Sequence, residues 1–147
     1  MNLYDALRAS FPTDLDRTAI ETADTPEPLF YTWRDLDRGS AMIARLLESL
    51  ALPPASRVAV QVDKSVEAVM LYLGVLRAGH VFLPLNNAYQ AAELEYFIGN
   101  AEPAVVVCAR KHFGWISRLA FPRGVAHVFT LDDDRTGTLL DRAAVQP

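Results

Sequence analysis

The sequence is poor in sulfur, in basic charge and in long apolar runs, and each shortage excludes something. There is one cysteine, Cys108, in 147 residues. No internal disulfide can form, and a reducing compartment, the cytoplasm, is expected. Lys and Arg number 14 against 18 Asp and Glu, for a formal net charge of −4. That balance offers no basic footprint for nucleic acid. The longest apolar run, Ala68 to Leu76, falls far short of the ~20 residues that cross a bilayer, so no membrane span is expected. The first five residues show no basic region leading into an apolar stretch, so no secretory signal is expected either.

Catalytic motifs are also scarce. No G-x-G-x-x-G occurs, and none of the six serines lies in G-x-S-x-G; the dinucleotide fingerprint and the hydrolase elbow are missing. His80, His112 and His127 lack the spacing of a zinc site. Gly74 and Gly79 have the separation of a phosphate-binding loop, but His80 and Val81 stand where Lys and Ser/Thr are required. Gly79 reads instead as the left-handed residue that closes a helix. Asp132-Asp133-Asp134 has no second acidic cluster beside it and reads as a solvated turn. Cys108 lies in an apolar run and reads as a small core residue. No metal site and no catalytic residue is expected on this chemistry.

What is present is ordinary globular material: 51% hydrophobic and 22% charged residues. A chain of this length can bury roughly 68% of its unfolded surface in one core. Strand and helix patterns alternate, which predicts a layered α/β domain with a mostly parallel sheet flanked by helices. A short helix is expected over 3–10. Short strands follow over 18–22 and 29–31, separated by a turn-prone stretch at 24–28. Thr32 and Asp35 have the spacing of a capping box. They open a helix whose Leu36, Ile43, Leu47 and Leu50 share one stripe. RVAVQV, residues 57–62, is a strand. Ser65 is a candidate N-cap for a helix over 66–78 that is apolar nearly all round, and Glu67 suits its first turn. A strand over 81–85 is interrupted by Pro84, which predicts Leu85 outside the ladder. A helix over 91–100, a buried strand over 104–108, a helix over 112–120, a strand over 125–131 and a helix over 138–144 complete the chain.

Two blocks carry a resemblance. Phe30-Tyr31-Thr32-Trp33-Arg34-Asp35-Leu36 resembles the opening motif of acyl- and aminoacyl-adenylating enzymes. Leu76-Arg77-Ala78-Gly79-His80-Val81-Phe82-Leu83-Pro84-Leu85-Asn86 resembles their second core motif. From Asp63-Lys64-Ser65 through Asn86-Asn87-Ala88-Tyr89 to Val106-Val107-Cys108, the chain is similar to the malonyl-CoA synthetase branch of the acyl-CoA synthetases, ligases of fatty acid metabolism.

The resemblance implies the first part of the large N-terminal, AMP-binding domain of an adenylate-forming ligase, with residues 1–147 a partial domain. It implies a two-step reaction. A carboxylate attacks the α-phosphorus of Mg-ATP to give an acyl-adenylate and pyrophosphate; the CoA thiol then displaces AMP. ATP, Mg²⁺ and CoA are therefore expected for the complete enzyme. The family's phosphate loop, its adenine and ribose motifs and its catalytic lysine fall outside the blocks matched here, so the chain alone is expected to be inactive and to bind none of the three well. The resemblance also implies that Arg110 and Lys111, after the strand at 104–108, approach the CoA nucleotide and contact its phosphates. Read from the residues alone, the pair is a solvated strand exit. Asp63-Lys64-Ser65 divides the same way between a phosphate or partner contact and a simple helix cap. Three functions stay open: part of a malonyl-CoA synthetase-like ligase, part of a ligase for another acyl or aminoacyl substrate, and a non-catalytic binding or interaction module. Self-association through exposed apolar surface is expected if the helix at 66–78 lacks a cover.

Overall fold

The computed structural model describes residues 2–23 and 25–147. Its elements run α1 (Leu3–Arg8), β1 (Thr18–Glu21), β2 (Phe30–Thr32), α2 (Trp33–Ser49), β3 (Arg57–Gln61), α3 (Val66–Arg77), β4 (Val81–Pro84), α4 (Ala91–Ala101), β5 (Val105–Cys108), α5 (Phe113–Ala120), β6 (His127–Thr130) and α6 (Thr138–Ala144). The four later strands form one parallel sheet in the order β4-β3-β5-β6. The two early strands pair antiparallel as a separate hairpin. Among the described residues no helix is long and apolar enough to cross a membrane.

Strand periodicity divides the core. Val58, Val60, Val105, Val107 and Phe129 face α1, α2, α3 and α6, whereas Ala59, Val106 and Cys108 face α4 and α5. A parallel sheet covered on both faces needs continuous apolar strands, and β5, with all four residues buried, is the clearest case.

Local signals set the helix ends. Thr32 Oγ1 accepts the Asp35 N–H at 3.1 Å, and Asp35 Oδ2 accepts the Thr32 N–H at 2.8 Å, the reciprocal bonds of a capping box. Ser65 Oγ accepts the Ala68 N–H at 3.1 Å. Beyond α3, Gly79 takes φ +81°. The His80 N–H then reaches the Val75 carbonyl, and the Gly79 N–H the Leu76 carbonyl, both at 3.0 Å, closing a Schellman motif.

Four expectations are corrected. β4 includes Pro84, and the Leu85 N–H donates to the Val60 carbonyl at 2.8 Å. Pro84 is tolerated because β4 is an edge strand, where a missing donor costs no neighbour its bond. Thr32 is at once the last residue of β2 and the cap of α2, so that strand starts at Phe30 and not at Leu29. The final strand is confined to His127–Thr130, and a 3₁₀ turn at Arg110–His112 precedes α5. Helix α3 is not uniformly covered: Val69 is 39% exposed, while Glu67 retains only 7%.

A polar cluster fastens α1 to the helical layer. Asp37 Oδ1 accepts from the Tyr4 hydroxyl at 2.5 Å, Arg8 Nε at 3.1 Å and an Arg77 guanidinium nitrogen at 3.2 Å. Arg77 also lies over the Tyr4 ring, 4.7 Å from its centroid. The basic residue of the second motif thus has a structural task. Burial by itself would raise the Asp37 carboxyl; the Tyr4 hydrogen bond and the Arg8 and Arg77 charges outweigh it and hold the group below 3.8, its ordinary value. Its stabilisation is complete above that ordinary value and is lost as pH falls through the lower folded value. Replacing Asp37→Asn should cost about 1–3 kcal/mol at neutral pH. The gap in melting temperature between the wild-type chain and the variant should close as the pH is taken below 3.8.

Candidate functional site

Strand β3 feeds α3 on one face of the sheet, whereas β5 feeds α5 on the other. Where neighbouring strands exit to opposite faces, a crevice opens beyond their carboxyl ends, and open α/β sheets bind ligands there. Here the crevice has a volume of about 570 Å³ and is bordered by Asp63 after β3, Arg110 and Lys111 after β5, and Asp132 to Asp134 after β6. Arg110 and Lys111 are exposed. The chain's two lysines, Lys64 and Lys111, both flank this edge.

Charges of both signs meet in the crevice. The Arg110 backbone N–H donates to Asp132 Oδ1 at 3.0 Å, and Asp134 Oδ1 accepts from the Thr136 N–H at 3.1 Å and its hydroxyl at 2.5 Å. Asp134 thereby shapes its own loop, and Asp132 ties that loop to the one after β5. Asp63 Oδ1 accepts from Asn87 Nδ2 at 3.1 Å. The cationic side chains Arg110 and Lys111 make no ion pair within 4.0 Å among the described residues. Nor do three or more His, Cys, Asp or Glu converge there as they would to hold a metal. A second cleft of about 710 Å³ adjoins the first and brings Arg110 near Arg135, with Phe113, Thr136 and Thr138 on its walls.

Residues 63–65 separate on folding. Ser65 caps α3, Asp63 borders the crevice, and Lys64 turns to a different cleft beneath the hairpin. That cleft has a volume of about 750 Å³ and lies between the β1–β2 hairpin, the start of α3 and the loop at 133–135. Tyr31, Glu67 and Arg135 meet there; burial, then the neighbouring Glu67, raises the Tyr31 phenol above its ordinary value of 10.0, and Arg135 partly opposes this.

Three residues of this region escape sequence reasoning. Gln61, 5% exposed, donates through Nε2 to the carbonyls of Asn86 at 2.9 Å and Tyr89 at 3.1 Å, tying the loop after β4 to the sheet. Its Oε1 is buried without a partner. A polar residue set between valines in VAVQV is the signal that could have found it. Glu67 looks like an ordinary first-turn acid until the hairpin covers it. Arg135 adopts φ +69°, a conformation uncommon for a side-chain-bearing residue, with no local sequence signal.

A four-stranded parallel sheet with helices on both faces matches the N-terminal domain of adenylate-forming ligases. The chain belongs to the AMP-binding enzyme family, which it matches over residues 8–146. It is similar to apo MatB from Rhodopseudomonas palustris, with 40% identity and a TM-score of 0.90 over 99% of this chain and 28% of that one. The ATP-bound form of the same protein gives a TM-score of 0.89. Phosphinothricin tripeptide synthetase PhsC of Streptomyces viridochromogenes is 30% identical over 146 residues, which is 99% of this chain and 13% of PhsC. The chain thus spans well under a third of the length of either relative.

Cys108 serves the core. Burial, with a smaller contribution from Asp132, pushes its thiol up to about 12. The thiolate is the reactive form, so a disulfide-exchange reagent at pH 8 should leave the folded chain unlabelled. One equivalent should react after denaturation. Stoichiometric labelling of the native chain would contradict this placement.

Proposed function

We propose that the chain is the first part of the N-terminal domain of an ATP-dependent acid–CoA ligase of the malonyl-CoA synthetase type. One observation carries the choice within the family: 40% identity to MatB along 99% of the chain, against 30% to the peptide synthetase PhsC over the same span. The sequence resemblance to the malonyl-CoA synthetase branch at residues 63–108 supports the same reading. The substrate is then a small dicarboxylate, activated as its adenylate and passed to the CoA thiol.

Within that reaction the 147 residues frame the site and do not perform the chemistry. ATP supplies the activating phosphorus and Mg²⁺ neutralises phosphate charge; no residue of this chain is assigned to either. CoA is the one reactant given side chains here. Arg110 and Lys111 stand exposed at the carboxyl edge, free of ion pairs among the described residues, where a phosphate can be met by two cations. The neighbouring aspartates turn part of their charge into loop hydrogen bonds, which lowers but does not remove their opposition to an anion.

Two outcomes are expected. The 147-residue chain alone should give no ATP–pyrophosphate exchange with malonate; clear turnover would overturn the partial-domain reading. In a complete ligase that carries these residues, the double change Arg110→Ala and Lys111→Ala should raise KM for CoA roughly tenfold with kcat nearly unchanged, the equivalent of one lost charge-assisted contact. An unaltered KM would remove the CoA assignment.

A further inference from the structure

The crevice at the carboxyl edge poses a problem of charge. Asp63, Asp132, Asp133 and Asp134 border it beside Arg110 and Lys111. Carboxylates in such excess would be expected to occupy both cations, yet no ion pair to Arg110 or Lys111 forms within 4.0 Å among the described residues. Neutral donors hold three of the four acids. Asp132 accepts the Arg110 backbone N–H, and Asp134 accepts from the Thr136 N–H and hydroxyl. Asp63 Oδ1 accepts from Asn87 Nδ2 at 3.1 Å. This last bond differs from the others, because its donor is a side chain alone and comes from a separate loop, 24 residues further along.

The loop that presents Asn87 is fixed on both sides. The buried Gln61 amide holds the Asn86 and Tyr89 carbonyls. Asn86 Oδ1 accepts the Ala88 N–H at 2.8 Å, and the Asn86 carbonyl accepts the Tyr89 N–H at 3.0 Å. The Tyr89 ring stacks on Phe97 with centroids 5.0 Å apart. Gln61 is also the last residue of β3, just ahead of Asp63, so one side chain sets the separation of the two loops. Asn87 and Asp63 are both exposed. An exposed hydrogen bond gains little when mobile backbone must be ordered to make it. Here the backbone on the Asn87 side is already ordered, and only two short side chains remain to be fixed. The sheet order puts β4 and β5 on opposite sides of β3. A pull on Asp63 toward the loop after β4 is therefore a pull away from Arg110 and Lys111 after β5.

We propose that Asn87 is a positioning residue for an anion site at this edge: it holds the Asp63 carboxylate on the β4 side and keeps it from pairing with Arg110 and Lys111. This role rests on the reading of that basic pair as a contact for CoA phosphates. Released from Asn87, Asp63 would swing across the crevice and occupy a cation with the weight of an exposed ion pair. An incoming phosphate would then have to displace it. Repulsion between the carboxylate and the phosphate also depends on the separation, because it is screened only beyond about 8 Å at physiological salt.

The test titrates inorganic pyrophosphate into the ¹⁵N-labelled chain and follows the amide resonances of Arg110 and Lys111. The wild-type chain should show saturable shifts. Asn87→Ala should bind about three- to fivefold more weakly, the weight of one exposed ion pair. Asp63→Asn should bind at least as tightly as wild type. The double variant, Asn87→Ala with Asp63→Asn, should match Asp63→Asn, because the amide has no task once the charge is gone. A merely loosened loop would persist in the double variant, so this rescue separates positioning from support. Equal affinity in wild type and Asn87→Ala would overturn the proposal, as would a double variant as weak as Asn87→Ala. In a complete ligase that carries these residues, the same order should appear in KM for CoA with kcat nearly unchanged. The expected order for pyrophosphate without any change in KM for CoA would keep Asn87 as the positioning residue of an anion site and remove only the coenzyme from it. A wild-type chain that shows no saturable shift would overturn both readings.

Discussion

The contact between α2 and α3 is close enough that a side chain at Gly74 would forbid it and one at Gly39 would displace Met70. A Cβ on Gly74 would lie 2.8 Å from Ile43 Cγ2 and 3.1 Å from the Ser40 carbonyl, and one on Gly39 would run into the Met70 side chain. The remaining helical layer hangs on this approach. It brings Asp37 and Ser40 of α2 within reach of Arg77 at the end of α3, and the same cluster holds Tyr4 and Arg8 of α1. At the other end of α2, the cap Thr32 is also the last hairpin residue. The axis of α2 therefore decides where the hairpin stands over α3, and with it the shape of the 750 Å³ cleft.

On the sheet, the corresponding constraint is the crossover. The order β4-β3-β5-β6 obliges the chain to leave β3 and β5 toward opposite layers. The loops after these strands cannot close over one another, and Asp63, Arg110 and Lys111 are left around an open crevice. A CoA phosphate contact is proposed here because of this topology and not because two basic residues adjoin in sequence. The aspartates of the 132–134 run share the crevice and stiffen its far wall through their own hydrogen bonds. They are more than a bare solvated turn.

Much of the fold was legible from the chain. Every helix and strand of the sheet was expected in order, because a buried face imposes its period of 3.6 or 2 on the residues that form it. Caps were legible for a related reason: Thr32 with Asp35, Ser65 with Ala68, and Gly79 with its two carbonyls interact within a few residues. Pro84 misled the reading, since its effect depends on whether the strand has a neighbour on that side. Less of the sites was legible. Arg110 and Lys111 were singled out by their place after the strand at 104–108, but the crevice they share with Asp63 and Asp132 joins loops far apart in sequence.

Composition, periodicity and the two motif blocks by themselves determined the class of fold, the order of elements, the family, and the fate of Cys108 as a core residue. Those properties depend on local hydrogen bonds and on which residues prefer to leave water. Only the tertiary structure decided that β1 and β2 pair apart from the main sheet, that Gln61 buries an oxygen without a donor, and that Glu67 is buried beside Tyr31. Glu67 shows why. An acid in the second position of a helix is favourable in any isolated segment, and nothing within its own turn reveals that a hairpin more than thirty residues earlier will close over it.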